Sequence, residues 1–168
     1  MRTFVAATLI LMSASLLIAQ QQIGAPSPEA QMRRFLSSSD VAGFVAKAKA
    51  ERQADQANFV QPLFQLLPYT VNLEYRVAKL TPTASVHETE AELFYVIDGS
   101  GTMVTGGKLT GESRTNAQNL TGTGIEGGNS RRIAKGDVMM VPEGTPHWFP
   151  QVENTLVLMS LHLPRAAH

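Results

Sequence analysis

The chain has no cysteine. Thiolate nucleophiles, disulfides and cysteine-ligated zinc or iron–sulfur centres are therefore excluded. Runs of like charge are missing too: 14 basic and 14 acidic side chains cancel to a formal net charge of zero, and no five or six of one sign cluster together. Nothing in that pattern supplies a surface for nucleic acid or a strongly acidic partner. The apolar run from Phe4 to Ala19 falls short of the ~20 residues that a membrane-spanning helix needs. What remains is a chain of 168 residues, 43% hydrophobic, a size that suits one compact domain with a real core.

The short apolar run reads as a secretory signal peptide covering residues 1–19. It opens with a single charge, Arg2, and ends in Leu-Leu-Ile-Ala before Gln20, Gln21 and Gln22. Export to the periplasm or outside the cell follows, with no membrane association once the leader is cut. An uncleaved anchor is the competing reading. Residues 20–60 form a linker and a helical arm. Gly24 to Pro28 is rich in Gly, Pro and Ser, while Glu29 to Ala57 favours helix and lacks proline. Ser38, Ser39 or Asp40 can cap a helix whose stripe of Val41, Phe44 and Val45 packs on a neighbour.

Residues 61–168 change character. Short β-branched and aromatic runs alternate with Gly, Pro and Asp: Thr70–Val77, Glu92–Ile97, Thr102–Thr105, Arg131–Ala134, Val138–Val141 and Thr155–Leu163. The class is all-β, a sandwich or barrel. Gly106 to Ser130, rich in Gly, Thr, Asn and Ser, reads as a working loop or an insertion. Within it, Gly122 to Gly127 fits a GxGxxG string without the strand and helix that dinucleotide binding requires, and Asn119-Leu120-Thr121 fits a glycosylation acceptor.

Two segments carry chemistry. Gly136 to His147 reads as a turn, a short strand, a Pro142-Glu143-Gly144 turn and a histidine opening the next strand. Upstream, His87 precedes a strand from Glu92 that ends at the Gly99-Ser100-Gly101 turn. Together these resemble the two motifs of the cupin superfamily. Gly136, Pro142, Gly144 and His147 fit the second motif at every fixed position but its last, where Gln151 replaces asparagine. His87, Glu92 and Gly99 fit the first motif, in which Ser85 stands for its first histidine and Lys79 for its first glycine.

The resemblance implies a double-stranded β-helix, a cupin jelly-roll barrel with the N-terminal helical arm added. It also implies one divalent metal, Fe, Mn, Zn, Ni or Cu, held by His87, Glu92 and His147. Such a set leaves coordination positions open. Glu90, or less readily Glu88, is then placed to act as a general base. His162 shares a strand face with Leu156, Leu158 and Ser160 and is read as a structural polar position. The function that follows is a metal-dependent enzyme of oxygenase, lyase or isomerase type acting on a small molecule. A non-catalytic metal or small-ligand binder is the alternative. A homodimer packed through barrel faces is expected on fold analogy alone.

Overall fold

The structure is a computed structural model that describes residues 33–78 and 80–165. The proposed leader, the Gly/Pro/Ser linker, Lys79 and His168 lie outside the described residues.

Helix α1 spans Ser38–Glu51. Its cap lies one residue before the expected positions: the Ser37 side chain accepts from the Asp40 amide, and the Asp40 carboxylate accepts from the Ser37 amide at 2.8 Å. Asp40 thus belongs inside the first turn, where a carboxylate also meets the positive end of the helix dipole. Its pKa is lowered by the hydrogen bonds of the Ser37 side chain and backbone.

Among the described residues eleven strands follow: β1 Asn58–Leu66, β2 Tyr69–Val77, β3 Ala84–His87, β4 Glu90–Thr105, β5 Lys108–Thr110, β6 Ser113–Arg114, β7 Asn119–Gly122, β8 Gly124–Glu126, β9 Asn129–Ala134, β10 Val138–Val141 and β11 His147–Pro164. The segment read as a loop, residues 106–130, is instead built into strands. β7 pairs with β3 and β6, and β5 pairs with β8. Its Thr and Asn residues offer no apolar alternation, so backbone pairing to neighbours holds them extended.

The long antiparallel pair β4–β11 is the spine of the barrel. β11 runs against β4 from His147↔Thr105 to Pro164↔Glu90. The other edge of β11 meets β3 at His147↔Ser85 and β2 from Thr155 to His162. The other edge of β4 takes β9 and β10. Shifts in register near Trp148–Gln151, Glu153–Leu156 and Val157–Leu158 bend β11, and Asn154 sits at φ 65° in the same stretch. Bulges of this kind increase local twist and let one strand wrap a barrel. Gly99, at φ 81°, has to be glycine: a Cβ there would lie 2.0 Å from the Thr155 carbonyl oxygen. The close crossing of the two spine strands depends on that missing atom.

Two hydrophobic clusters lie on opposite faces of the sheet. Phe94, Val96, Met103, Ile133, Val141, Phe149, Leu156 and Leu158 fill the barrel. On the outer face Leu63, Leu73, Tyr75 and Val157 pack under Ala48, Phe44 and Val45 of α1. The arm is therefore a lid on the β1–β2 sheet, as its stripe implied. Strand β2 is buried on both sides. Leu73 and Tyr75 meet the helix, while Arg76 faces inward, with its guanidinium 4.3 Å from the Phe149 ring centroid and paired to Glu74.

Replacing Leu158, fully buried in the barrel, by alanine is expected to cost ~2–5 kcal/mol through lost burial and a residual cavity. Val138→Ala, at a position 62% exposed, should stay within ~0.5 kcal/mol. Urea denaturation of both variants checks the pair; equal losses would contradict the assignment of the core.

Candidate metal centre

The Pro142–Gly144 turn fixes the relation between the two motif segments. Gly144, at φ 68°, donates its amide to the His87 carbonyl at 2.7 Å. Val141, the last residue of β10, is the register partner of Glu92 on β4. The turn that launches His147 is thereby stitched to the residue that carries the other imidazole, and both border the strand that carries the carboxylate.

Glu92 is buried, 3% exposed. Its Oε2 lies 3.3 Å from His87 Nε2 and 3.2 Å from His147 Nε2. The structure thus brings both expected imidazoles against Glu92, although the set whose ligand atoms all lie within 4.8 Å of one another holds His162 in place of His147. It adds a fourth: His162 Nε2 lies 3.2 Å from Glu92 Oε1. One ligand atom each from His87, Glu92 and His162 falls within 4.8 Å of the others. The His87 ring is 5.2 Å from that of His147 and 5.0 Å from that of His162, centroid to centroid.

Each imidazole turns its other nitrogen outward to an oxygen. His87 Nδ1 is 2.7 Å from Asn119 Oδ1, His147 Nδ1 is 3.3 Å from the Thr145 carbonyl, and His162 Nδ1 is 3.0 Å from Glu90 Oε2. A neutral imidazole has one N–H, and a carbonyl or carboxylate can only accept. With the proton spent on the outer bond, Nε2 presents a lone pair to the lone pairs of Glu92. Such a contact is favourable only with a cation between the groups or a second proton on the ring. Donors ~2.1 Å from one divalent ion sit ~3.0–3.4 Å apart in octahedral or tetrahedral geometry, which matches the spacings around Glu92. Outward hydrogen bonds of this kind are also how metal-bound histidines are oriented. The donor set therefore fits a divalent ion.

Burial works against charge on both partners, but the hydrogen bonds win. The Glu92 pKa is held well below the usual carboxylate range: desolvation opposes ionisation, while the bonds to His147 and His87 favour it more. The His87 pKa is raised; burial alone would lower it, and the Glu92 hydrogen bond and charge, then Asn119, outweigh that.

The remaining expectations divide. Glu88 faces solvent in a two-pronged pair with Arg114, at 2.7 and 3.1 Å, so its carboxylate is committed away from the centre. Glu90 lies behind His162. Asn119, read as a glycosylation acceptor, is half-buried and holds the His87 ring. Phe149 points inward beside Phe94, with ring centroids 5.3 Å apart, and Trp148 turns away to donate to the Pro82 carbonyl at 2.8 Å. Sequence reasoning missed His162 as a site residue. The signal was there: strand period put it on the inward face, and a buried imidazole needs a partner. A cavity of ≈490 Å³ bordered by Met103, Ile133 and Met139 includes none of the cluster residues.

The chain belongs to the cupin family, whose model matches residues 46–163. Solved structures agree on the fold. BH2720 from Bacillus halodurans is 16% identical with a TM-score of 0.53, over 82% of this chain and 86% of that one. An uncharacterised conserved protein with a double-stranded β-helix domain from Klebsiella pneumoniae is 14% identical with a TM-score of 0.53, over 81% and 94%. The Fe(II) form of HppE is 13% identical with a TM-score of 0.50, over 67% and 54%. At these identities the likeness is one of fold. No curated protein sequence matches the chain.

In metal-free protein His87 should titrate above the ordinary ~6.5 of a histidine. Glu92→Gln removes the two largest influences that oppose burial and leaves only Asn119 and Glu90 against it, so the midpoint should fall. Proton NMR of the imidazole Cε1–H signals reads both; an unchanged midpoint in the variant would contradict the pairing.

Proposed function

We propose that this cupin is an exported metal-dependent enzyme acting on a small molecule, with His87, Glu92 and His147 as its metal ligands. The observation that supports it is the convergence of imidazole Nε2 atoms on one buried carboxylate, each ring fixed from behind by an oxygen. A divalent ion held there, from Fe, Mn, Zn, Ni or Cu, supplies Lewis-acid polarisation or, with iron, activation of dioxygen.

The chain's own residues set the rest. The Glu92 carboxylate offsets part of the ion's charge in a dry environment. Phe94, buried with its ring centroid 5.8 Å from that of His147 and backed by Phe149, closes the site from below. The His87 and His162 side chains are the more open members, 20% and 18% exposed against 6% for His147, so substrate approaches from their side. Glu90, with its side chain 30% exposed at that rim, is the candidate proton acceptor for lyase or isomerase chemistry.

Reconstitution with each of the five ions, followed by elemental analysis, should find one ion per chain. His147→Ala should lose it while keeping the β-sheet circular dichroism. Oxygen uptake by the Fe(II)-loaded chain on a panel of phenols and thiols should then exceed that of the variant. One ion per chain without turnover of any substrate favours the binding-protein reading, and no ion contradicts both. Export rests on the leader alone. Mass spectrometry of protein recovered outside the cytoplasm should find a chain starting at Gln20, and an intact Met1 would contradict cleavage.

A further inference from the structure

We propose that His162 is itself a metal ligand, supplying from β11 the imidazole that Ser85 does not supply from β3, with Glu90 as its positioning residue. The inference rests on the metal-centre reading above and extends it from three protein ligands to four.

Three observations carry it. His162 Nε2 approaches Glu92 Oε1 at 3.2 Å, while His87 and His147 share Oε2, so the third ring meets the free side of the same carboxylate. Its Nδ1 is fixed at 3.0 Å by Glu90 Oε2. A carboxylate behind an imidazole sets the tautomer with the lone pair on the far nitrogen and raises its basicity toward a metal. Ser85 lies two residues before His87, on the same face of β3, and pairs in register with His147 on one side and Thr121 on the other. Its short hydroxyl stands where the resemblance puts an imidazole. The ring lost there has a counterpart on the strand position that faces Glu92 directly, His162↔Glu92.

The competing role for His162 is that of an imidazolium bridging two carboxylates, Glu90 and Glu92, with no contact to an ion. The roles differ in what a bound metal senses. Cu(II) alone serves as the probe, added at one equivalent to the full chain. Pulsed electron paramagnetic resonance counts imidazoles by their remote nitrogens, and a competition titration gives the affinity. The wild-type chain should show three imidazoles and His162→Gln two, with affinity reduced by more than the ~10–100-fold typical of losing an outer-shell partner. Glu90→Gln should keep three imidazoles and lose affinity within that ~10–100-fold range. The double change Ser85→His with His162→Gln should bring back the third imidazole and most of the affinity, because the vacancy on β3 accepts it.

Equal counts and affinities in the wild type and His162→Gln would overturn the inference. If His162→Gln does not fold, the wild-type count decides alone: two imidazoles overturn it. A chain that binds Cu(II) through His87 and His147 only leaves the metal-centre reading standing and removes this one. A chain that takes up no stoichiometric Cu(II) overturns both.

Discussion

One buried carboxylate organises the molecule's working end. Glu92 sits 3% exposed among three imidazoles that reach it from two strands, β3 and β11, and the outer nitrogens of those rings are already committed to oxygens. An ionised group in such a place is costly unless it is paired and hydrogen-bonded. The barrel meets that cost by aiming several donors at one point. The same arrangement that keeps Glu92 charged also leaves it and its neighbours ready for a cation.

The fold is what makes that convergence geometrically available. His147 and His162 belong to a single strand, and a straight strand would hold them ~50 Å apart at ~3.3 Å per residue. Both touch the same carboxylate. β11 therefore has to wrap, which its three register shifts and the left-handed Asn154 allow, and β4 has to follow it through the bare backbone of Gly99. The Gly144-to-His87 hydrogen bond then locks the Pro142–Gly144 turn onto β3. These backbone devices lie next to the side chains they position, so the motif glycines and the motif ligands are parts of one construction.

Much of this was legible in the sequence, and the exceptions have physical causes. The barrel class, the inward Phe149 and the arm's apolar stripe followed from turn residues and strand period, and the proximity of His87 and His147 to Glu92 followed from the resemblance to cupins. β1 was not read as a strand because Gln61 and Gln65 break its apolar pattern; Gln61 is buried and donates to the Phe44 carbonyl at 2.6 Å. β2 reads ambiguously because both of its faces are covered, so Asn72, Glu74 and Arg76 alternate with Leu73 and Tyr75 without marking a solvent side. Residues 106–130 looked like loop because small polar side chains carry no burial signal, although their backbones pair. His162 was passed over because alternation shows which face a residue occupies and not how far its strand curls back. That curl arises from bulges with no strong sequence signature.

The account turns on whether His87, Glu92, His147 and His162 share an ion or only share protons. X-ray absorption fine structure of the chain loaded with one equivalent of Co(II) addresses this directly. The account predicts nitrogen and oxygen neighbours at ~2.0–2.2 Å with the outer-shell scattering of bound imidazole rings. A spectrum of oxygen neighbours without imidazole scattering, as for a hydrated ion on the surface, would contradict it.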